Sequence, residues 1–195
     1  SDRSLETSSR LFRQALRALS DGPAAVPAMG MQAMPDQLAA RLPPGSIRLG
    51  GKVERIGQRE MVLAGGETVR CRAVIVAAPS LLDAGNEARK RGSALLHYAA
   101  VQPPVEEAIV MLDGDGRGPV NHLAVLTNLS AAYAPEGKVL IAAAVIGDLR
   151  DADEELDRRV RMQLAEWFGG MSGWKLLRVW RDVLATPHQT ASVRR

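Results

Sequence analysis

The sequence predicts an α+β fold: an antiparallel sheet with helices, joined to a shorter segment of α/β character. Three observations carry this expectation. Between Leu95 and Leu184, β-prone runs alternate with turns rich in Gly, Pro and Asn, the pattern of short strands pairing with near neighbours. From Asp151 to Phe168, Leu156, Val160, Leu164 and Trp167 run down one side of a helical projection and charges cover the rest, as on a surface helix. Val74-Ile75-Val76-Ala77-Ala78 is apolar without alternation, which suits a strand covered on both faces, as in a parallel sheet.

Taken in order, Asp2 to Leu19 reads as an amphipathic helix. Leu5, Phe12, Ala15, Leu16 and Leu19 share one face; Arg10, Arg13, Gln14 and Arg17 share the other. Ser4 can cap it by accepting from a free N–H of the first turn, and Asp21-Gly22-Pro23 stops it. Ala24 to Met34 is a connector in which Met29, Met31 and Met34 cluster. Core filling by an adaptable side chain is the expected role, ahead of an apolar wall beside a ligand. Pro35 opens a short helix, with Asp36 favouring the positive end of its dipole. Leu38 and Leu42 are its expected apolar contacts, and Pro43-Pro44-Gly45 ends it.

Extended chain follows from Ile47 to Ile56, broken at Gly50-Gly51. Met61-Val62-Leu63 and Thr68 to Arg72 flank Gly65-Gly66, a hairpin signal. After the apolar run at Val74, Ser80 to Arg91 reads as a helix with Ser80 and Asp83 as a capping-box variant, ended by Gly92. Strands are then expected at Leu95–Val101, Ala108–Leu112, Leu123–Leu129 and Val139–Ile146. The long helix comes next, closed by Gly169-Gly170. Trp174 to Leu184 is the last strand, with a polar tail beyond it. The expected organisation is one context made of residues 1–33 and 80–184, a second made of residues 34–79, and a tail at 185–195.

Composition narrows the function. The chain has 195 residues, 46% hydrophobic, with a net charge of +3. That suits one ordinary globular domain or two small pieces. Arginines are scattered among carboxylates and aromatics are 4%, so the basic stripe and stacking platforms of a nucleic-acid binder are missing. A single cysteine, Cys71, rules out an internal disulfide and multi-cysteine metal sites and points to a reducing, cytoplasmic setting. No apolar run reaches the length of a membrane-spanning helix.

The candidate motifs mostly resolve into turns and surface. Asp113-Gly114-Asp115-Gly116-Arg117-Gly118 lies between two strands and lacks G-x-G-x-x-G spacing. It also lacks the closing glutamate of a calcium loop, so a glycine-rich hairpin turn is expected. His97, His122 and His188 show no metal-ligand spacing, and no G-x-S-x-G elbow occurs. Glu106-Glu107 and Glu154-Glu155 are sequence neighbours that point apart. Trp174 and Trp180, six apart on a strand, are expected to share one face.

An ordered set of segments carries a family resemblance. Met31, Pro35, Leu38, Ala39 and Leu42 come first, then Val53 with Ile56, a hairpin, and Val74 to Pro79. Asn121-His122, Tyr133-Ala134-Pro135-Glu136-Gly137, the long helix and Ala185-Thr186-Pro187 follow. This order resembles the flavin-dependent amine oxidase superfamily, with its phytoene desaturase-like and protoporphyrinogen oxidase-like members. The resemblance implies FAD as cofactor and a small or apolar substrate oxidised at a C–N or C–C bond. It makes residues 1–33 and 80–184 substrate-domain-like and residues 34–79 a slice of the FAD domain. It implies that Val53 meets the FAD adenine through its backbone, that Ala77 and Ala78 run close to the dinucleotide, and that Gly30 lies towards the flavin. No catalytic residue and no metal site is identified.

The sequence also departs from the family pattern. The glycine-rich phosphate loop and the late Gly-Asp segment are absent, and Met29 replaces the first glycine of a usual pair. The chain therefore looks like the interior of a larger oxidoreductase. Alone it is expected to be inactive, to hold FAD weakly or not at all, and to dimerise through a bare sheet edge near Val74 to Ala78. The alternative is a non-catalytic binding module that keeps the substrate-domain fold.

Overall fold

The computed structural model describes residues 9–23, 25–77, 90–147 and 149–187. Packing divides the chain into two compact units. One comprises Ser1–Met31 with Ala88–Arg195, and the other is Gln32–Glu87. The fold is α+β, with antiparallel sheets in both units.

The smaller unit begins with helix α2 (Ala33–Ala39), which follows α1 (Ser9–Ser20) of the larger unit. Pro35 occupies the first turn of α2, and the Gln32 amide donates to Asp36 Oδ1 at 2.8 Å. Leu38 and Leu42, the expected apolar contacts, are exposed, and α2 buries no residue. A three-stranded sheet follows, β1 (Val53–Ile56), β2 (Glu60–Leu63) and β3 (Thr68–Arg70), in the order β1-β2-β3. Gly65 and Gly66 both take left-handed φ, +101° and +87°, the conformation a tight hairpin turn demands of its glycines. Arg48 donates to both oxygens of Glu67 at 2.7 and 2.5 Å, an exposed fork that fastens the chain before β1 to the β2–β3 turn.

The parallel strand expected over Val74 to Ala78 does not form. Residues 73–77 have no regular structure, Ile75 is 93% exposed, and Ala78 lies outside the described residues. The run keeps the composition of a strand, but among the described residues no strand pairs with it, and apolar composition alone cannot hold an extended chain.

The larger unit is built on a five-stranded antiparallel sheet. Its strands are β4 (Lys90–Ala100), β5 (Val110–Leu112), β6 (Val120–Val125), β7 (Val139–Gly147) and β8 (Lys175–Pro187), in the order β5-β6-β7-β4-β8. Alternation along β4 and β7 sorts side chains to two faces. Leu96, Tyr98, Leu123, Ile141 and Ala143 are fully buried on one face, packed with Leu156, Val160 and Leu164 of the long helix α4 (Asp153–Phe168). That is the apolar side predicted for this helix.

Several hydrogen bonds fix α4 on the sheet. Tyr98 donates its phenol proton to Asp157 Oδ1 at 2.7 Å, and Arg161 Nε donates to both Asp157 oxygens. Gln163 is the buried polar side chain of this core. Its Oε1 accepts from Val120 N–H at 2.7 Å and its amide donates to the Val120 carbonyl at 3.2 Å. A methyl group on Gly118 would stand 2.2 Å from Gln163 Oε1, so this glycine is required by close approach. Arg181 braces the other end through Asp153 and the carbonyls of Leu149 and Asp151.

Four expectations are corrected here. Of the helix expected at Ser80–Arg91, residues 80–89 lie outside the described residues, but Lys90 and Arg91 belong to β4 and pair with Pro187 and Thr186. Gly92 lies inside that strand, opposite Gly147. The strand expected at Leu123–Leu129 ends at Val125, and α3 (Leu126–Leu129) replaces its second half. Asn128 causes the departure, because its amide donates to the carbonyls of Val105 and Glu107 and pulls the chain out of the sheet. On α1, the predicted apolar face is present but Leu11, Phe12 and Leu16 are exposed; Ser4 lies outside the described residues. Met29, Met31 and Met34 fill no core and are exposed as well.

Candidate functional site

The sheet's second face is the part of the larger unit that α4 does not seal. Its rows follow from the register. Val110, Ala124, Ala142, His97 and Arg178 lie across the five strands, and the next row holds Leu112, His122, Ala144, Leu95 and Trp180. Leu140, Ala99 and Lys175 form the row after His97. The central strand thus contributes only Ala142 and Ala144 to the middle of this face, beside His97 and Leu95 on β4 and Ala124 and His122 on β6. The result is a shallow trough whose floor alanines are nearly covered, at 7% and 8% exposed.

Two histidines face the trough. His97 Nδ1 accepts from the Trp180 indole N–H at 3.2 Å, and the Arg178 guanidinium lies 3.7 Å above the Trp180 ring centroid. Accepting at Nδ1 leaves the neutral ring's proton on Nε2. Burial pushes the pKa of His97 below its ordinary value, and that of His122 likewise. Both rings are therefore held towards the neutral form, and His122 Nδ1 meets Asn121 Oδ1 at 3.1 Å. His188 lies outside the described residues. No group of three metal-ligating side chains occurs among the described residues.

Trp174 and Trp180 do not share a face. The β4–β8 register slips between His97 and Tyr98, so His97 pairs with Arg178 while Tyr98 pairs with Leu176. One extra residue on β8 reverses the alternation beyond it. Trp174 consequently packs on the helix side, 5.8 Å from Tyr98 and 6.4 Å from Phe168, while Trp180 faces the trough. The Asp113–Gly118 stretch is the expected hairpin turn, with Asp113 Oδ1 accepting from the backbone N–H groups of Asp115 and Gly116.

A short strut joins the residues before Gly30 to this unit. Tyr133 donates its hydroxyl proton to the Pro27 carbonyl at 2.8 Å, and Ser130 donates to the Ala28 carbonyl at 3.0 Å. Gly30 closes the turn by donating its N–H to Pro27 O with φ +93°, which favours glycine.

The residues singled out from the sequence divide between the units. Val53, half-buried, opens β1, the edge strand of its three-stranded sheet, and Ala77 is exposed in irregular chain of the same unit. Ala78 lies outside the described residues. Gly30 belongs to the larger unit. Sequence reasoning missed the His97–Trp180–Arg178 cluster. Its one advance signal was parity: His97 shares alternation with Leu95 and Ala99, opposite to Leu96, Tyr98 and Ala100.

Comparison with known proteins places this architecture. Residues 1–192 match the family model described as flavin-containing amine oxidoreductase. Among solved structures, a protein from Exiguobacterium sp. 255-15 provisionally titled a protoporphyrinogen oxidase superposes with a TM-score of 0.62 at 17% identity, covering 84% of this chain and 41% of that one. A reduced UDP-galactopyranose mutase gives a TM-score of 0.61 at 13% identity, with 83% and 40% coverage. An oxidoreductase from Methanosarcina mazei gives 0.57 at 18%, with 83% and 43% coverage. The chain thus spans about two fifths of the length of these neighbours. No curated protein matches it. With the family pattern running through nearly its whole length, the chain belongs to the flavin-containing amine oxidoreductase family.

Proposed function

We propose that this chain is the inner section of an FAD-dependent oxidoreductase that oxidises a C–N or C–C bond of a small or apolar substrate. In this reading the five-stranded sheet is the wall of the substrate site and residues 34–79 are a slice of the FAD domain. The observation that carries it is the family match over residues 1–192, joined to a sheet sealed on one side and open on the other. When bound, FAD supplies the acceptor for the hydride or its equivalent.

The residues present suit the cofactor. β1 is an edge strand with β2 on one side only, so backbone groups on its outer side are available to an adenine edge. Ala77 is small and exposed, and Gly30 has no Cβ to obstruct a close approach. The chain's own residues would orient the substrate: Leu95 presents apolar surface beside the nearly covered Ala142 and Ala144, and His97 presents an Nε2–H donor without adding charge.

FAD retention tests this reading. In the full-length protein, Val53→Pro removes the backbone donor and should lower the flavin content of the purified protein, while Val53→Leu should leave it unchanged. An amine or desaturable substrate should bleach the visible flavin absorbance. Equal flavin content in both variants, or no bleaching by either substrate class, overturns the proposal. The 195-residue chain alone should bind FAD weakly or not at all.

A further inference from the structure

The trough does not end blindly. Past His97, the row of Ala99 and Leu140 opens into a cleft of about 430 Å³. Its walls are mainly apolar, with Val139, Leu177 and the Tyr133 ring among them, and its lining includes two cations, Lys138 and Lys175. Lys175 sits opposite Ala99 on β8, and Leu140 flanks Ala99 from β7. The Tyr133 hydroxyl is already committed to Pro27, so the ring serves as a fixed wall. Neither lysine ammonium has a hydrogen-bond or ion-pair partner among the described residues.

Two unpaired ammonium groups beside a concave apolar surface complement a particular kind of molecule. We propose that the cleft and the trough together bind an amphipathic anion: an elongated apolar body ending in a carboxylate or phosphate. The acid group lies between Lys138 and Lys175, and the body runs over Ala99 and along β4 past His97 towards Leu95. From Ala99 to Leu95 the strand advances about 13 Å, which accommodates a chain of roughly ten carbons. As a statement about substrate class this rests on the flavoenzyme reading; as a statement about binding it needs no flavin.

The test uses the 195-residue chain, labelled with ¹⁵N, and three probes: decanoate, decyl phosphate and decanol. The acids should move the amide signals of Ala99, Val139, Leu140 and Leu177, and should bind about threefold or more tighter than decanol, the modest gain that ion pairs to exposed lysines give. The double variant Lys138→Ala/Lys175→Ala should bring the acids down to the affinity of decanol and leave decanol binding unchanged. Both substitutions are on exposed positions, and an unchanged circular dichroism spectrum checks the fold. A preference for decanoate over decyl phosphate assigns a carboxylate ligand, and the reverse assigns a phosphate; either supports the site. Equal binding of acid and alcohol, an unaltered double variant, or shifts confined to other residues overturns it. Loss of this binding would leave the flavin content of the full-length protein untouched, so the two proposals fail separately.

Discussion

Replacing Gln163 with alanine should cost the larger unit about 2–6 kcal/mol. The side chain is 6% exposed and holds both backbone groups of Val120, itself 1% exposed. Alanine leaves a buried N–H and a buried C=O without that partner, at about 1–3 kcal/mol each. Whole-domain stabilities are roughly 5–15 kcal/mol, so the variant sits close to unfolding. Gly118 supplies an internal control. A methyl there would lie 2.2 Å from Gln163 Oε1, so Gly118→Ala must expel the amide and break the same clamp. Once Gln163 is alanine the obstruction is gone, and the second substitution should add little. The double-mutant cycle should therefore return a coupling energy of at least about 1 kcal/mol. Urea unfolding followed by tryptophan fluorescence reads all four proteins, since Trp167 and Trp174 pack against the core that α4 completes. The midpoint should move and the slope should not. A loss below about 1 kcal/mol for Gln163→Ala, or strict additivity in the cycle, refutes the reasoning.

Three further outcomes are expected. Burial, with the Asp157 carboxylate beside it, raises the Tyr98 phenol well above its ordinary pKa. Unfolded chains release this proton near pH 10 and the folded one keeps it, so stability is intact below that pH and falls above it. Tyr98→Phe should flatten the alkaline loss of urea midpoint and lower stability near neutrality by about 1–3 kcal/mol; an unchanged alkaline slope counts against this. His97 and His122 are depressed by burial, so their contribution is present above the unfolded pKa of about 6.5 and lost as pH falls below it. Imidazole NMR titrations should give midpoints under that value, and His97→Gln should reduce the acid-side slope; midpoints at or above it refute the assignment. The Arg48–Glu67 fork is exposed on both sides, so Arg48→Ala should leave the urea midpoint within error, and a large shift would show that solvent screening is weaker there than argued.

Local signals predicted most of the fold. Period-3.6 patterning marked α4, and glycine pairs marked the β2–β3 turn, because both depend on residues close in sequence. Two of the failures turn on partners far along the chain, one present and one missing. Leu126–Leu129 has strand composition, but Asn128 reaches the Val105 and Glu107 carbonyls. Val74–Ala77 has strand composition, but no strand pairs with it among the described residues. The trough was less legible still. It requires knowing that β8 lies beside β4 with one extra residue in the register, which sends Trp180 to His97 and Trp174 to the opposite side. No count of spacings within one strand could report that slip.

The chain leaves the larger unit at Met31 and re-enters it at Ala88, and the Tyr133–Pro27 and Ser130–Ala28 bonds tether the departure point. The intervening segment is therefore a guest housed within its host's connectivity. Closing a loop costs only about 0.6 kcal/mol more for each doubling of its length. Such a guest can grow, shrink or be exchanged through evolution while the host keeps its sheet, because the anchor and not the guest fixes where the chain departs.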